Sequence, residues 1–77
     1  MKNNGVIGAD LGDLLNVLDT KTEVCIFTGK DGKNLMRANV RVYELLADKE
    51  FIDAYRLKTV KGFIVVMNSV NILVEEA

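Results

Sequence analysis

The 77-residue chain has no histidine, no proline and no tryptophan, and it carries a single cysteine and a single serine. Each scarcity excludes something. Without histidine, the commonest general base at neutral pH is missing, and a zinc site would need an unusual all-oxygen or lone-thiolate ligand set. Cys25 has no second thiol with which to close an internal disulfide. Ser69 has no imidazole to activate it. No apolar run approaches the ~18 residues that span a bilayer, and the longest, Phe63 to Met67, is the size of a strand. The lack of proline leaves every strand position free to donate to a ladder.

What is present describes an ordinary globular domain. Hydrophobic residues make up 49% of the chain and charged residues 27%, a balance that disfavours disorder and coiled coil alike. A chain this short buries only about 60% of the surface its unfolded form exposes, so small folds often rely on a staple or a partner. With disulfide and metal removed, self-association is the staple that remains. The net charge of -1 and pI of 5.3 give no overall basic footprint, which disfavours non-specific nucleic-acid binding. The opening residues hold too few apolar side chains for a signal peptide, and with the lone cysteine they point to a cytoplasmic protein.

Organisation follows from hydrophobic period. Residues 1–9 carry glycines and asparagines with little to bury and read as a flexible N-terminal arm, leaving residues 10–77 as one domain. Leu11, Leu14, Leu15 and Leu18 fall on one helical stripe, with Asp10 as N-cap and Asp13 near the positive end of the dipole. Gly12 costs that helix about 1 kcal/mol relative to alanine, so it needs a sheet to dock on. Thr22 to Val42 reads as a β-hairpin hinged on Lys30-Asp31-Gly32-Lys33, since Asp-Gly tolerates positive φ at both central positions. Its first strand, Thr22 to Thr28, is apolar on both faces and belongs in the middle of a sheet. Its second alternates, with Met36, Ala38, Val40 and Val42 on one face and Arg37, Asn39, Arg41 and Tyr43 on the other. Glu44 to Glu50 reads as a helical turn or two, Ala54 to Val60 as a third strand, and Phe63 to Met67 and Val70 to Glu75 as a closing pair turned at Asn68-Ser69.

Candidate chemistry is thin. Cys25, between Val24 and Ile26, reads as a small buried hydrophobe and not a nucleophile. Asp48, Glu50 and Asp53 match no calcium loop and read as solvated, helix-capping carboxylates. Gly29-Lys30-Asp31-Gly32-Lys33 is too short for a Walker loop, and a turn accounts for its glycines. The remaining candidate is a basic and aromatic face: Arg37, Asn39, Arg41 and Tyr43, extended by Arg56 and Lys58 if the third strand pairs beside them. Such a face could stack bases and clamp phosphates, but its arginines have Glu23, Glu44 and the terminal glutamates as ion-pair partners.

Two resemblances accompany these residues. The order of leucine helix, Val-x-Ile strand, Asp-Gly turn and a strand leading to Leu45-Leu46 resembles small uncharacterised proteins of Firmicutes and their phages, which carry no assigned activity. Val60-Lys61-Gly62-Phe63-Ile64-Val65 is similar to the second signature of Sm-like proteins. That second resemblance implies Lys61 and Gly62 at a ring pore, in contact with RNA, although Arg37-Ala38 stand near the place of a family glycine. The expected architecture is α+β: a short N-terminal helix on a mostly antiparallel, twisted sheet of four or five strands, with closure into a small barrel as its variant. The expected function is a non-enzymatic protein-interaction module, self-associating or bound to a protein partner through a strand edge or the apolar residues left over on the first and last strands, without cofactor, metal, membrane or small-molecule substrate. Sheet-face binding of RNA or single-stranded nucleic acid, Sm-like or otherwise, is the alternative.

Overall fold

The computed structural model describes residues 8–75. They form one α+β unit: α1 (Leu11–Val17), β1 (Glu23–Thr28), β2 (Asn34–Arg41), α2 (Val42–Ala47), α3 (Lys49–Tyr55), β3 (Val60–Val66) and β4 (Ser69–Val74). The four strands make one sheet in the order β2-β1-β4-β3. β1 pairs antiparallel with β2 and parallel with β4, and β3 pairs antiparallel with β4. Two of the three pairings are antiparallel, and the sheet is open. The central position expected for the first strand is the one it occupies. Of the expected arm at residues 1–9, only Gly8 and Ala9 fall within the described residues.

The three helices pack on one face of the sheet. The leucine stripe of α1 buries Leu11, Leu14 and Leu15 against Val24 and Ile26 of β1, Val70, Ile72 and Val74 of β4, Val60, and Val42, Leu45 and Phe51 of the other helices. Asp10 stands at the N-cap of α1, but its side chain makes no capping hydrogen bond. Instead, Leu11 and Gly12 donate their N–H groups to the carbonyls of Lys58 and Arg56 at 2.9 and 2.8 Å. A neighbouring turn thus satisfies the helix start. That close approach explains Gly12, where a Cβ would stand 3.1 Å from both the Cβ and the carbonyl oxygen of Arg56.

Several sequence expectations are corrected. The Lys30-Asp31-Gly32-Lys33 hinge is a turn of 3-10 helix, Lys30–Gly32, and not a two-residue hairpin. Its left-handed positions are Gly29 (φ 92°) and Gly32 (φ 68°). The expected third strand, Ala54 to Val60, does not form. Ala54 and Tyr55 are the end of α3, and Arg56 to Lys58 turn the chain toward β3. The helix expected at Glu44 to Glu50 is the junction of two short helices, broken at Asp48. The last turn is Met67-Asn68, one residue earlier than expected, with Met67 at φ 56°.

The largest correction concerns β2. Its eight residues run beside the six of β1, with register shifts between Val24 and Ile26 and between Ile26 and Phe27. Each extra residue reverses the alternation of side chains, so the strict in-and-out pattern fails. Val40 lies opposite Val24 and Arg37 opposite Ile26, both on the helical side, whereas Leu35 lies opposite Phe27 on the other. Asn39, at φ 53°, takes up the first bulge.

Candidate functional site: an uncovered sheet face

The basic and aromatic residues singled out from the sequence do not share a face. Arg37 lies on the helical side, its guanidinium 4.9 Å from the centre of the Phe51 ring and 3.5 Å from Asp48 Oδ2. Arg41 donates to the Lys21 carbonyl at 2.7 Å, and its own backbone N–H is held by the Glu44 carboxylate at 2.9 Å. Tyr43 belongs to α2. Asn39 turns to the opposite side of the sheet, donating its backbone N–H to Cys25 Sγ at 3.4 Å and accepting at Oδ1 from the same thiol at 3.5 Å. Arg56 and Lys58 sit in the turn that receives α1. Bulging and the early start of α2 scatter the group, and periodicity alone could not have revealed either.

Asp48 does cap a helix, as expected of the acidic cluster, accepting the Phe51 N–H at 3.1 Å at the start of α3. Cys25 is not buried. It is half-exposed, on the side of β1 away from the helices. Glu75 accepts the Thr59 N–H at 3.1 Å. That backbone hydrogen bond, helped by the Thr59 hydroxyl and by Lys58 and Lys61 against a smaller opposing effect of desolvation, holds the Glu75 carboxyl below its usual range.

The sheet face opposite the helices carries apolar residues of the first and last strands, Phe27 and Leu73. No described element packs across it. Its rows follow from register. Leu35, Phe27, Leu73 and Gly62 run across all four strands, Cys25, Asn71 and Ile64 form the next row, and Arg41, Glu23, Ser69 and Val66 the third. The first row is wholly apolar. The third is polar at its centre, where Ser69 Oγ donates to Glu23 Oε1 at 3.2 Å.

Gly62 gives the apolar row its shape. A Cβ there would meet nothing within 4 Å, so the row ends in open space beside Leu73. A shallow concavity of about 440 Å³ results, lined among others by Phe27, Gly32, Gly62, Ile64 and Leu73. Gly32, in the 3-10 turn, closes one side of it, since a Cβ there would lie 3.5 Å from Leu73 Cδ1. Lys61 stands exposed beside it, near Glu75 in a smaller, polar cleft. The two residues that the Sm-like resemblance singles out therefore flank the rim of an apolar surface.

The apolar surface continues onto the β3–β4 hairpin. Ile64, Val65, Val66 and Met67 are 61%, 60%, 48% and 92% exposed. Val65 is opposite Val70, on the helical side, yet it stays exposed because the helices do not reach the hairpin tip. An exposed run with apolar side chains on both faces is unusual for a lone chain.

Fold and face together define a small open-faced α+β domain: three helices on one side of a four-stranded mixed sheet, and an uncovered, largely apolar surface on the other. No family model, curated protein or solved structure matches the chain. Among the described residues no helix is long and apolar enough to cross a membrane.

Proposed function

We propose that this protein is a non-enzymatic interaction module that associates with a second copy of itself through the uncovered sheet face and its adjoining strand edge. The observation that carries the reading is the distribution of exposed apolar residues. Of the nine exposed large apolar side chains among the described residues, five (Leu35, Ile64, Val65, Val66 and Met67) lie on β2 and the β3–β4 hairpin, and Leu35, Ile64 and Val66 share with the half-buried Phe27 and Leu73 the face of the sheet away from the core. Isolated apolar residues on a surface need no explanation, but a contiguous group on a regular sheet does.

Size supports the same reading. With a radius of gyration of 11.3 Å and a one-sided sheet, the chain has room for only one core layer, and a second copy would add buried apolar area that one copy lacks. The polar centre of the face, with Asn71, Ser69 and Glu23, gives an interface its hydrogen-bonding groups. Catalysis has less to work with, because the chain has no histidine and its one thiol lies in a hydrogen-bonded pair with Asn39.

Sedimentation velocity from low to high micromolar concentration tests the proposal. Growth of a dimer with concentration is the expected result. A monomer across the whole range would refute it, and a closed hexamer or heptamer would favour the ring assembly that the Sm-like resemblance implies.

A further inference from the structure

The two edges of the sheet are unequal. β2 forms one edge and is protected in the ways edge strands usually are, by two bulges and by Arg37 and Arg41. β3 forms the other. Its bulge falls at the very start, between Val60 and Gly62, and no charge follows Lys61. From Gly62 to Val66 the edge is regular, uncharged and apolar on both faces.

Hydrogen-bond parity shows which groups that edge presents. Met67 and Asn68 alone join β3 to β4, so Val66 and Ser69 must exchange both of their hydrogen bonds. Alternation then turns the N–H and C=O of Ile64 toward β4 and those of Phe63 and Val65 outward. At the other end of the strand, Val60 is already engaged. It accepts from Gly8 N–H at 2.9 Å and donates to the Ala9 carbonyl at 2.8 Å. The bulge that follows bends the edge away from that short pairing. Among the described residues, the outward groups of Phe63 and Val65 have no strand beside them.

From this the geometry points to a definite occupant: β3 of a second copy, paired antiparallel about a two-fold axis through Ile64, so that two four-stranded sheets become one of eight strands. The inference rests on the self-association proposed above and specifies the register of its strand-edge contact, with the row of Leu35, Phe27, Leu73 and Gly62 left on one face of the joined sheet. An axis perpendicular to the sheet keeps each residue on its own face, so opposed residues must be of equal parity, and the residue on the axis meets its own copy. With Ile64 there, Phe63 faces the partner subunit's Val65 and both exchange hydrogen bonds, which makes four in all. Gly62 faces the partner's Val66, placing an isopropyl group over the space that Gly62 leaves open. The register stays between bulge and turn, and the two Lys61 side chains fall at opposite ends, away from each other. The four exposed side chains from Ile64 to Met67 offer apolar area on the order of 500 Å² per copy, the size of the largest patches on monomers, which are often functional. Such an interface falls in the small class below ~1,200 Å² in total, that of transient complexes.

Three variants of the full chain and one exchange measurement test the pairing. Val65→Pro removes an outward N–H without touching the β4 ladder, so its circular dichroism should match the parent while it sediments as a monomer. Ile64→Cys in a Cys25→Ala background should cross-link to a dimer under mild oxidation, because a directly opposed, non-hydrogen-bonded pair lies within disulfide reach. Val66→Cys in the same background should not, since it faces glycine. Should Val65→Pro fail to fold, the cysteine pair still decides. Amide protection at Phe63 and Val65 should rise with protein concentration. Protection independent of concentration would mean that the edge is covered without a second copy, and would overturn the inference. A parent dimer that is indifferent to Val65→Pro and gives no Ile64→Cys cross-link would overturn the β3 pairing and leave self-association standing. A parent that is monomeric throughout would overturn both.

Discussion

Arg37 is the residue whose role the fold most changes, and a mutational cycle with Asp48 measures that change. From the sequence, Arg37 belongs to a recognition surface. In the structure it lies over the Phe51 ring and beside an Asp48 carboxylate that caps α3. Replacing Asp48 by alanine removes the cap, worth about 1 kcal/mol, together with an ion pair. The pair contributes at the low end of ~0.2–1 kcal/mol, because its N···O distance is 3.5 Å and the two side chains are 39% and 40% exposed. In a domain of this size 1 kcal/mol moves the melting temperature by roughly 4–8 °C. Asp48→Ala should therefore lower Tm by about 5–12 °C, whereas Asp48→Asn, which keeps a capping oxygen, should cost only about 1–4 °C. Arg37→Met loses the ion pair and a cation–π contact of ~0.5–1 kcal/mol while keeping apolar cover over Phe51. Thermal melts by far-UV circular dichroism at low and high salt give all three numbers, and the double variant gives the coupling. Two results would refute the reasoning: Asp48→Asn as damaging as Asp48→Ala, or Arg37→Met with unchanged stability. The second would return Arg37 to the role its sequence position suggested.

The two faces of β4 should respond differently to truncation. Ile72→Ala, at a position with no exposure, should cost ~2–5 kcal/mol and leave little folded protein, whereas Leu73→Ala should cost under about 1 kcal/mol in urea melts. Gly12→Ala should fail to return the ~1 kcal/mol that helix propensity promises, because the new methyl would crowd Arg56 at 3.1 Å; a full gain in urea stability would show that α1 is free to shift. Glu75 has its carboxyl pKa depressed in the folded state, so its contribution is present above the unfolded-state value and is lost as pH falls through the lower folded value. The stability difference between the parent and Glu75→Gln should thus shrink on acidification through and below the ordinary carboxylate range, and a difference independent of pH in that window would argue against the Thr59 hydrogen bond as its source.

Local pattern and tertiary structure contributed to different parts of this protein. The leucine stripe at residues 11, 14 and 15 was legible because helical period is a property of neighbours three and four apart, and the shared face of Val24 and Ile26 followed from alternation over a few residues, although the same pattern called for cover on the Cys25 and Phe27 face, which stays open. The α+β class, the central place of β1 and the capping role of Asp48 were within reach for the same reason. The absence of histidine and of a second cysteine weighed against whole classes of chemistry before any fold was known. Sequence alone could not supply the parallel partnership of β1 with β4, which joins residues 46 positions apart, as from Thr28 to Val74. Nor could it reveal the bulges of β2, because each depends on which residue of β1 stands opposite. Those two non-local facts decided the site. The first bulge parted Arg37 from Asn39 and Arg41, the start of α2 removed Tyr43, and the strand order put Phe27 and Leu73 side by side with Gly62 beyond them. A side chain's face is set by counting residues along a strand, but the count starts from a partner, and only the folded sheet specifies the partner.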